Sequence, residues 1–279
     1  MKNLLLFLFL FPLLTYSQND LLSGVDIPVE KEKVMSAFKA MKIVNIESTK
    51  VAAQGDMYFV VAHRFGSIQD GFEGFYGLDN ANTQIKFIYG IVDGLHVSAA
   101  RSQLAFDFAV KYALVPQIKD GFPVTIVGFN SVSVNNTLKE SVYSELKFEN
   151  RLTYVAQLLI SRKFSEKLSL EIAPTFFHEN FVENELQNNS QFALGFGGRY
   201  KFAKRWSLNI DYAAHLNRAP NSVYLNEFSI GFDLETGGHV FQMHFTNSQG
   251  IDEAGYLART TGDWRKADVF FGFNLARVF

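Results

Sequence analysis

From about Tyr58 onward, apolar and polar residues alternate in one segment after another. In "EFSIGFDLE", Phe228, Ile230, Phe232 and Leu234 share one side, and Glu227, Ser229, Gly231, Asp233 and Glu235 share the other. "WSLNIDYAAH" sets Trp206, Leu208, Ile210 and Tyr212 against Ser207, Asn209, Asp211 and His215. "QFALGFGGRYKF" sets Phe192, Leu194, Phe196, Tyr200 and Phe202 against Ala193, Gly195, Gly197, Arg199 and Lys201. A period of two marks half-buried strands. It predicts twelve of them, over 57–65, 84–92, 95–102, 104–112, 124–134, 151–164, 168–177, 191–202, 206–215, 227–235, 239–247 and 268–279. Only 30–41 carries a stripe compatible with a helix.

The connections alternate in length. Tight links at 93–94, 165–167, 203–205 and 236–238, and a looser one at 116–121, carry turn residues. Long polar stretches lie between them, at 67–83, 135–150, 179–190, 217–226 and 248–267. The link near Gln103 is short where a long one is due. Short turns at one end, long loops at the other and an even strand count predict an all-β fold, an antiparallel up-and-down barrel of the outer membrane. Both ends of the barrel segment then lie on the short-turn, periplasmic side. The strand "VFFGFNLARVF", closing on Phe279, would be a sticky sheet edge if left open, and pairing with the first strand removes that edge. A secreted β-sandwich or jelly roll is the soluble alternative. Two features weigh against it: a large, aromatic apolar parity, with Tyr89, Tyr112, Tyr154, Tyr200, Trp206 and Tyr212 suited to interfacial girdles, and a polar parity rich in Gly and Ala.

The amino-terminal "MKNLLLFLFLFPLLTYSQND" has a basic residue, an apolar run from Leu4 to Leu14 and then Thr15-Tyr16-Ser17. That run is too short for a membrane helix, which needs about 20 residues, and describes a secretory signal peptide with cleavage after Ser17. The expected organisation is a signal peptide (1–17), a periplasmic segment or plug (18–56) and the barrel (57–279). For 18–56 a disordered linker is the competing expectation.

Composition adds exclusions. Cysteine is absent, so no disulfide framework or thiolate metal site is expected, and the formal charge of -2 argues against nucleic acid as a partner. With the apolar parity facing lipid, the lumen is lined by Lys86, Lys111, Arg151, Lys163, Arg199 and Lys201. Asp107, Glu171, Asp211, Glu227, Asp233, Glu235 and Asp268 face them, with His96, His215 and His244. A selective pore usually shows a ring of one sign, so this balance predicts ion pairs crossing a narrow lumen and holding it shut. Arg101, Arg162 and Arg277 share the lipid parity at strand ends, where a charge costs about 0–1 kcal/mol against roughly 2–4 at the midplane. Pro174 implies a bulge. The parity of 124–134 switches midway and leaves its lipid face open.

No catalytic, cofactor or metal residues are expected. No two histidines show ligand spacing on one strand, and no outward Ser–His pair on neighbouring strands is evident for a lipid-hydrolysing set. "GFGGRY" sits within a strand and lacks the helix that a nucleotide site needs.

Several stretches carry a resemblance: "HRFG" with "YGLDNANTQIKFIYGIVDGL" after it, "GGRYKF", "TGGHVFQMHFTNSQG" with "TTGDW", and "GFNLARVF". Over Met57 to Phe279 the chain resembles a bacterial outer-membrane β-barrel family known as a domain of unknown function. The resemblance implies a signal peptide and a barrel, and brings no substrate or catalytic residue. The aromatic end of the last strand also resembles the signal read by barrel-assembly machinery. Outer-membrane lipid is the expected surround. The function expected first is binding or passage of a small solute. A closed structural barrel docking a periplasmic protein is the second, and a lipid-modifying enzyme the third.

Overall fold

The computed structural model describes residues 32–279, so the expected signal peptide and the start of the following segment lie outside the described residues. Twelve antiparallel strands form one closed barrel, each paired with its sequence neighbours. They are β1 (Met57–Ser67), β2 (Ala81–Val92), β3 (Leu95–Ser102), β4 (Ala105–Val115), β5 (Thr125–Asn135), β6 (Leu152–Lys163), β7 (Leu168–Glu179), β8 (Ser190–Lys201), β9 (Trp206–His215), β10 (Glu227–Glu235), β11 (His239–Thr246) and β12 (Phe270–Val278). β12 closes on β1 with Tyr58 opposite Val278 and Arg64 opposite Gly272. Phe279 donates its N–H to the Met57 carbonyl at 2.9 Å. The sheet therefore has no open edge.

The alternation in sequence becomes alternation of face. Phe87, Tyr89, Phe108, Phe192, Phe196, Tyr200 and Phe232 are exposed on the outer surface, while Asp107, Lys111, Glu171, Asp211 and Asp233 are buried inside. The outward arginines stack on aromatic rings at the barrel rims: Arg101 on Phe106, Arg162 on Phe164 and Arg277 on Phe279. No helix among the described residues is long and apolar enough to cross a membrane.

Four expectations need correction. Residues 32–41 form bends and an isolated bridge, and the one α-helix among the described residues is α1 (Glu253–Ala258), in the last long loop. The stripe at 30–41 arises because Ala37, Phe38, Ala40 and Met41 are buried by contact with the lumen. Pro174 needs no bulge: it pairs in register with Leu194 on β8, and the β6 ladder skips its position without changing register. The parity of β5 does not switch. Its odd residues face inward throughout, so Val127 and Phe129 are buried in the lumen and Asn130 faces out, where it accepts a hydrogen bond from Tyr112 at 3.0 Å. The sequence looks switched because part of the lumen is apolar. Asp268 lies before β12, bonded to Ser67 Oγ at 2.6 Å, and is no part of the lumen wall.

The outer face sets a testable cost. Phe232→Arg, near the middle of β10, is expected to destabilise the folded barrel in liposomes by about 2–4 kcal/mol, while Arg101→Ala at the rim changes stability by no more than about 1 kcal/mol. Urea titration of the reconstituted protein measures both.

Candidate functional site

The lumen is occupied. Residues 32–34 pair with the 116–124 connection at the short-turn end: Val34 N–H bonds to Gln117 O at 2.9 Å and Lys119 N–H to Glu32 O at 3.0 Å. The chain then runs up the lumen and turns back. An antiparallel bridge joins Lys42 to Glu47, Ser48 N–H reaches Met41 O at 2.9 Å, and Ile43 N–H reaches Ile46 O at 2.8 Å. The tip, Asn45, meets Glu227 and Thr246 at the long-loop ends of β10 and β11. The return leg leaves by the mouth it entered, with Ala52 N–H on His96 Nδ1 at 3.1 Å and Gly55 N–H on Gly90 O at 2.9 Å. Glycines make room for it. A Cβ on Gly197 would stand 2.1 Å from Ile43 Cδ1, and one on Gly90 would stand 1.8 Å from Ala53 O.

Three consecutive N–H groups at the tip, from Val44, Asn45 and Ile46, converge on Asp211 Oδ2 at 3.0, 2.8 and 2.9 Å. The Asn45 amide donates to Glu227, Ser229 and Thr246 and accepts from Arg64 at 2.8 Å. Glu47 lies among three ammonium groups: Lys111 at 2.6 Å, Lys86 at 3.3 Å and Lys42 at 3.5 Å. Burial alone would raise the Glu47 pKa, but Lys111, Lys86 and Lys42 outweigh it and hold the carboxyl well below its usual range. Its contribution to docking is therefore present above the pKa of an undocked glutamate and is lost only as pH falls through the lower, docked value. Burial also opposes the Lys42 charge, but Glu253 and Glu47 outweigh it and raise that pKa.

From the other end the last long loop folds inward. Asp252 caps α1, accepting Gly255 N–H at 2.9 Å, and every residue of α1 is buried. Tyr256 and Leu257 pack with Val127, Phe129, Leu159 and Phe177 on one flank of the lumen. Glu253 bonds Lys42 at 2.7 Å, so loop and hairpin meet. Arg259 pairs with Glu179 and, at 3.6 Å, with Asp252. On either side of Arg259 lie two vestibule cavities of about 230 and 240 Å³, sharing Asn135 and Thr137. A larger apolar concavity of about 650 Å³, lined by Phe87, Tyr89 and Phe108, lies on the outer face, away from all these groups.

The residues marked in the sequence divide by what they touch. Lys86, Lys111, His96, Glu171, Asp211 and Glu227 touch the hairpin; Glu171 accepts Thr49 N–H at 3.0 Å. Asp107 bonds Ser133 and Gln84, Asp233 bonds Gln242, and His215 bonds Gln191, all within the wall. His244 is fully buried against Gly231 and Gly272, with neither ring nitrogen bonded. Arg199 and Lys201 pair with Glu235, and Lys163 with Glu166, at the short-turn end. Arg151 is not in the lumen: it ends a 3-10 turn before β6 and donates to Leu138 O and Asn135 O. Wall-to-wall ion pairs were the expectation, and among the described residues only those at Glu235 are of that kind. Lys86 and Lys111 pair instead with Glu47 of the hairpin, and Asp211, Glu171 and Glu227 accept its N–H groups.

Lys42, Asn45, Glu47, Arg64, Glu179, Glu253 and Arg259 were missed. Arg64 was open to detection, since it alternates with Val60 and Ala62, opposite Val61, His63 and Phe65. An outward Ser–His pair also exists, against expectation: Ser190 Oγ lies 2.9 Å from His178 Nδ1 on β8 and β7. Thr83 and His63 repeat the arrangement at 2.7 Å on β2 and β1. Neither histidine has a bonded carboxylate or amide among the described residues, and each pair gives a polar ring on the outer face a hydrogen-bond partner. No group of three metal-ligating side chains occurs among the described residues.

Residues 38–279 match the family described as a membrane bound beta barrel domain (DUF5777). The chain belongs to this family. The matched region begins within the inserted segment, so the hairpin is part of the DUF5777 domain. Among solved structures, the KdgM porin in complex with disordered oligogalacturonate aligns with a TM-score of 0.50 at 8% identity, covering 80% of this chain and 99% of that one. The NanC porin aligns with a TM-score of 0.50 at 11% identity, covering 80% and 98%. These likenesses establish the outer-membrane barrel fold. No curated protein matches the sequence.

The DUF5777 barrel of this chain offers a clean probe of docking, because it has no cysteine. In an Ile43→Cys background, Glu47→Gln leaves Lys111 buried without its carboxylate, at a cost of about 3–5 kcal/mol to the docked hairpin. Labelling of the introduced thiol by a water-soluble maleimide is expected to accelerate at least about 100-fold.

Proposed function

We propose that this protein is a plugged small-solute channel of the outer membrane, with residues 32–56 as its plug. The observation that carries this is topological: the hairpin enters and leaves by the same mouth, so it can be withdrawn without threading. A bore lined with polar and charged side chains would then remain. A porin of the same fold takes an oligogalacturonate, so the architecture is compatible with solute passage. Residues 1–17 act as a cleaved signal peptide, β12 is the strand presented to barrel-assembly machinery, and the short turns face the periplasm. The protein works without catalysis.

A second reading, a permanently closed barrel docking a periplasmic partner, is favoured by one observation. The lumen is sealed from both ends, and hairpin and loop meet at Lys42–Glu253.

Planar-bilayer recording separates the two. The intact protein is expected to stay closed for most of the record. Lys42→Ala with Asn45→Ala removes the bond to Glu253 and the amide that bridges Arg64 and Glu227, weakening docking by about 1–3 kcal/mol for each buried charged partner left unmet. This variant is expected to show frequent discrete openings. A barrel that stays silent in both forms overturns the channel.

A further inference from the structure

The lumen wall reads main chain. Asp211, Glu171 and His96 accept backbone N–H groups of the hairpin. Lys111 donates to the carbonyls of Met41 and Ser48, Gln242 to those of Lys42 and Ile43, and Asn274 to that of Val44. None of this is strand pairing; side chains of a closed sheet take both the donors and the acceptors of an inserted peptide.

The charges are also sorted by flank. Lys86 and Lys111 stand on β2 and β4, whereas Asp211 and Glu227 stand on β9 and β10, across the ring of strands. Arg64 of β1 lies beside the second flank, where it shares Asn45 with Glu227, and Asp107 of β4 is bonded to Ser133 and Gln84. The hairpin answers both. Its Glu47 carboxylate meets the cationic flank, and its N–H groups meet Asp211 on the anionic one. Two passes of polypeptide fit side by side here, so the vacated bore has room for one extended peptide.

Resting on the channel reading, we propose that the wall bared by hairpin withdrawal binds zwitterionic oligopeptides, and that these are the solutes the channel selects. The carboxylate of such a peptide takes the place of Glu47 between Lys86 and Lys111. Its ammonium takes the place of the tip at Asp211 and Glu227, and its amides meet Gln242 and Asn274. A solute of one charge is attracted by one flank and repelled by the other. A neutral sugar leaves both sets of buried charges without an opposite charge.

The test uses the full chain with Lys42→Ala and Asn45→Ala, which alters the hairpin and leaves the wall intact. Trialanine and glucose are the probes, read by liposome swelling and by titration calorimetry in detergent. Trialanine is expected to bind this variant at least about 10-fold more tightly than the parent, whose hairpin occupies the wall. Adding Lys111→Met is expected to weaken binding about 10-fold, and Lys111→Arg to restore most of it. Heat-modifiable mobility on gels verifies that each variant is a folded barrel. Trialanine is expected to enter liposomes faster than glucose although it is larger. Where glucose enters, equal or slower entry of trialanine, or no trialanine heat, overturns the peptide surface while leaving an open channel standing. Binding of trialanine without entry of either probe sinks the channel and supports the peptide surface.

Discussion

A main chain placed inside a closed barrel has no strand edge to pair with, so side chains must take over its hydrogen bonds. Everything else in this lumen follows from that constraint. Asp211 is spent on three N–H groups at once, and Lys111 on two carbonyls and a carboxylate. The bond from the Gln242 amide serves the same need. A wall of aliphatic residues would leave the hairpin's peptide groups dry and unbonded, at several kcal/mol each. The charged interior that looks like a self-sealing wall in the sequence is the complement of an inserted segment.

The barrel itself was legible because its signal repeats on strand after strand: a period of two with large apolar residues outside. The strand count, the uneven connections and the short link at Gln103 all follow from that pattern. The occupant was not legible for a physical reason. A segment held on all sides buries residues without a period, so "MKIVNIESTK" shows only faint alternation, with Ile43, Val44 and Ile46 all inaccessible. Arg151 was misplaced because a 3-10 turn precedes β6 and breaks the parity count. Val127 and Phe129 misled because an inward apolar pair looks outward when the partner, Tyr256, is more than a hundred positions away.

The lumen has two kinds of flank, and they hold two different segments. On one flank α1 packs by apolar contact against Leu159 and Phe177. On the others the hairpin is held by hydrogen bonds and buried ion pairs. Apolar burial is non-directional, whereas charge-assisted bonds demand a set geometry and polarise one another. Lys42, which touches Glu253 and Glu47 and lies 5.3 Å from the centre of the Tyr256 ring, is where the two regimes meet.

The missing side chains at Gly90, Gly195 and Gly197 give the inner wall a hollow in the shape of its occupant, with Ile46 and Ile43 seated against β8. A cast of this kind ties the history of two distant stretches together. Were the hairpin ever lost, nothing would keep the hollow from filling; were the hollow filled first, the hairpin would be evicted. Substitutions along the inner surface of β8 and along residues 41–48 must therefore drift as matched pairs, and a relative that has abandoned one should have abandoned the other.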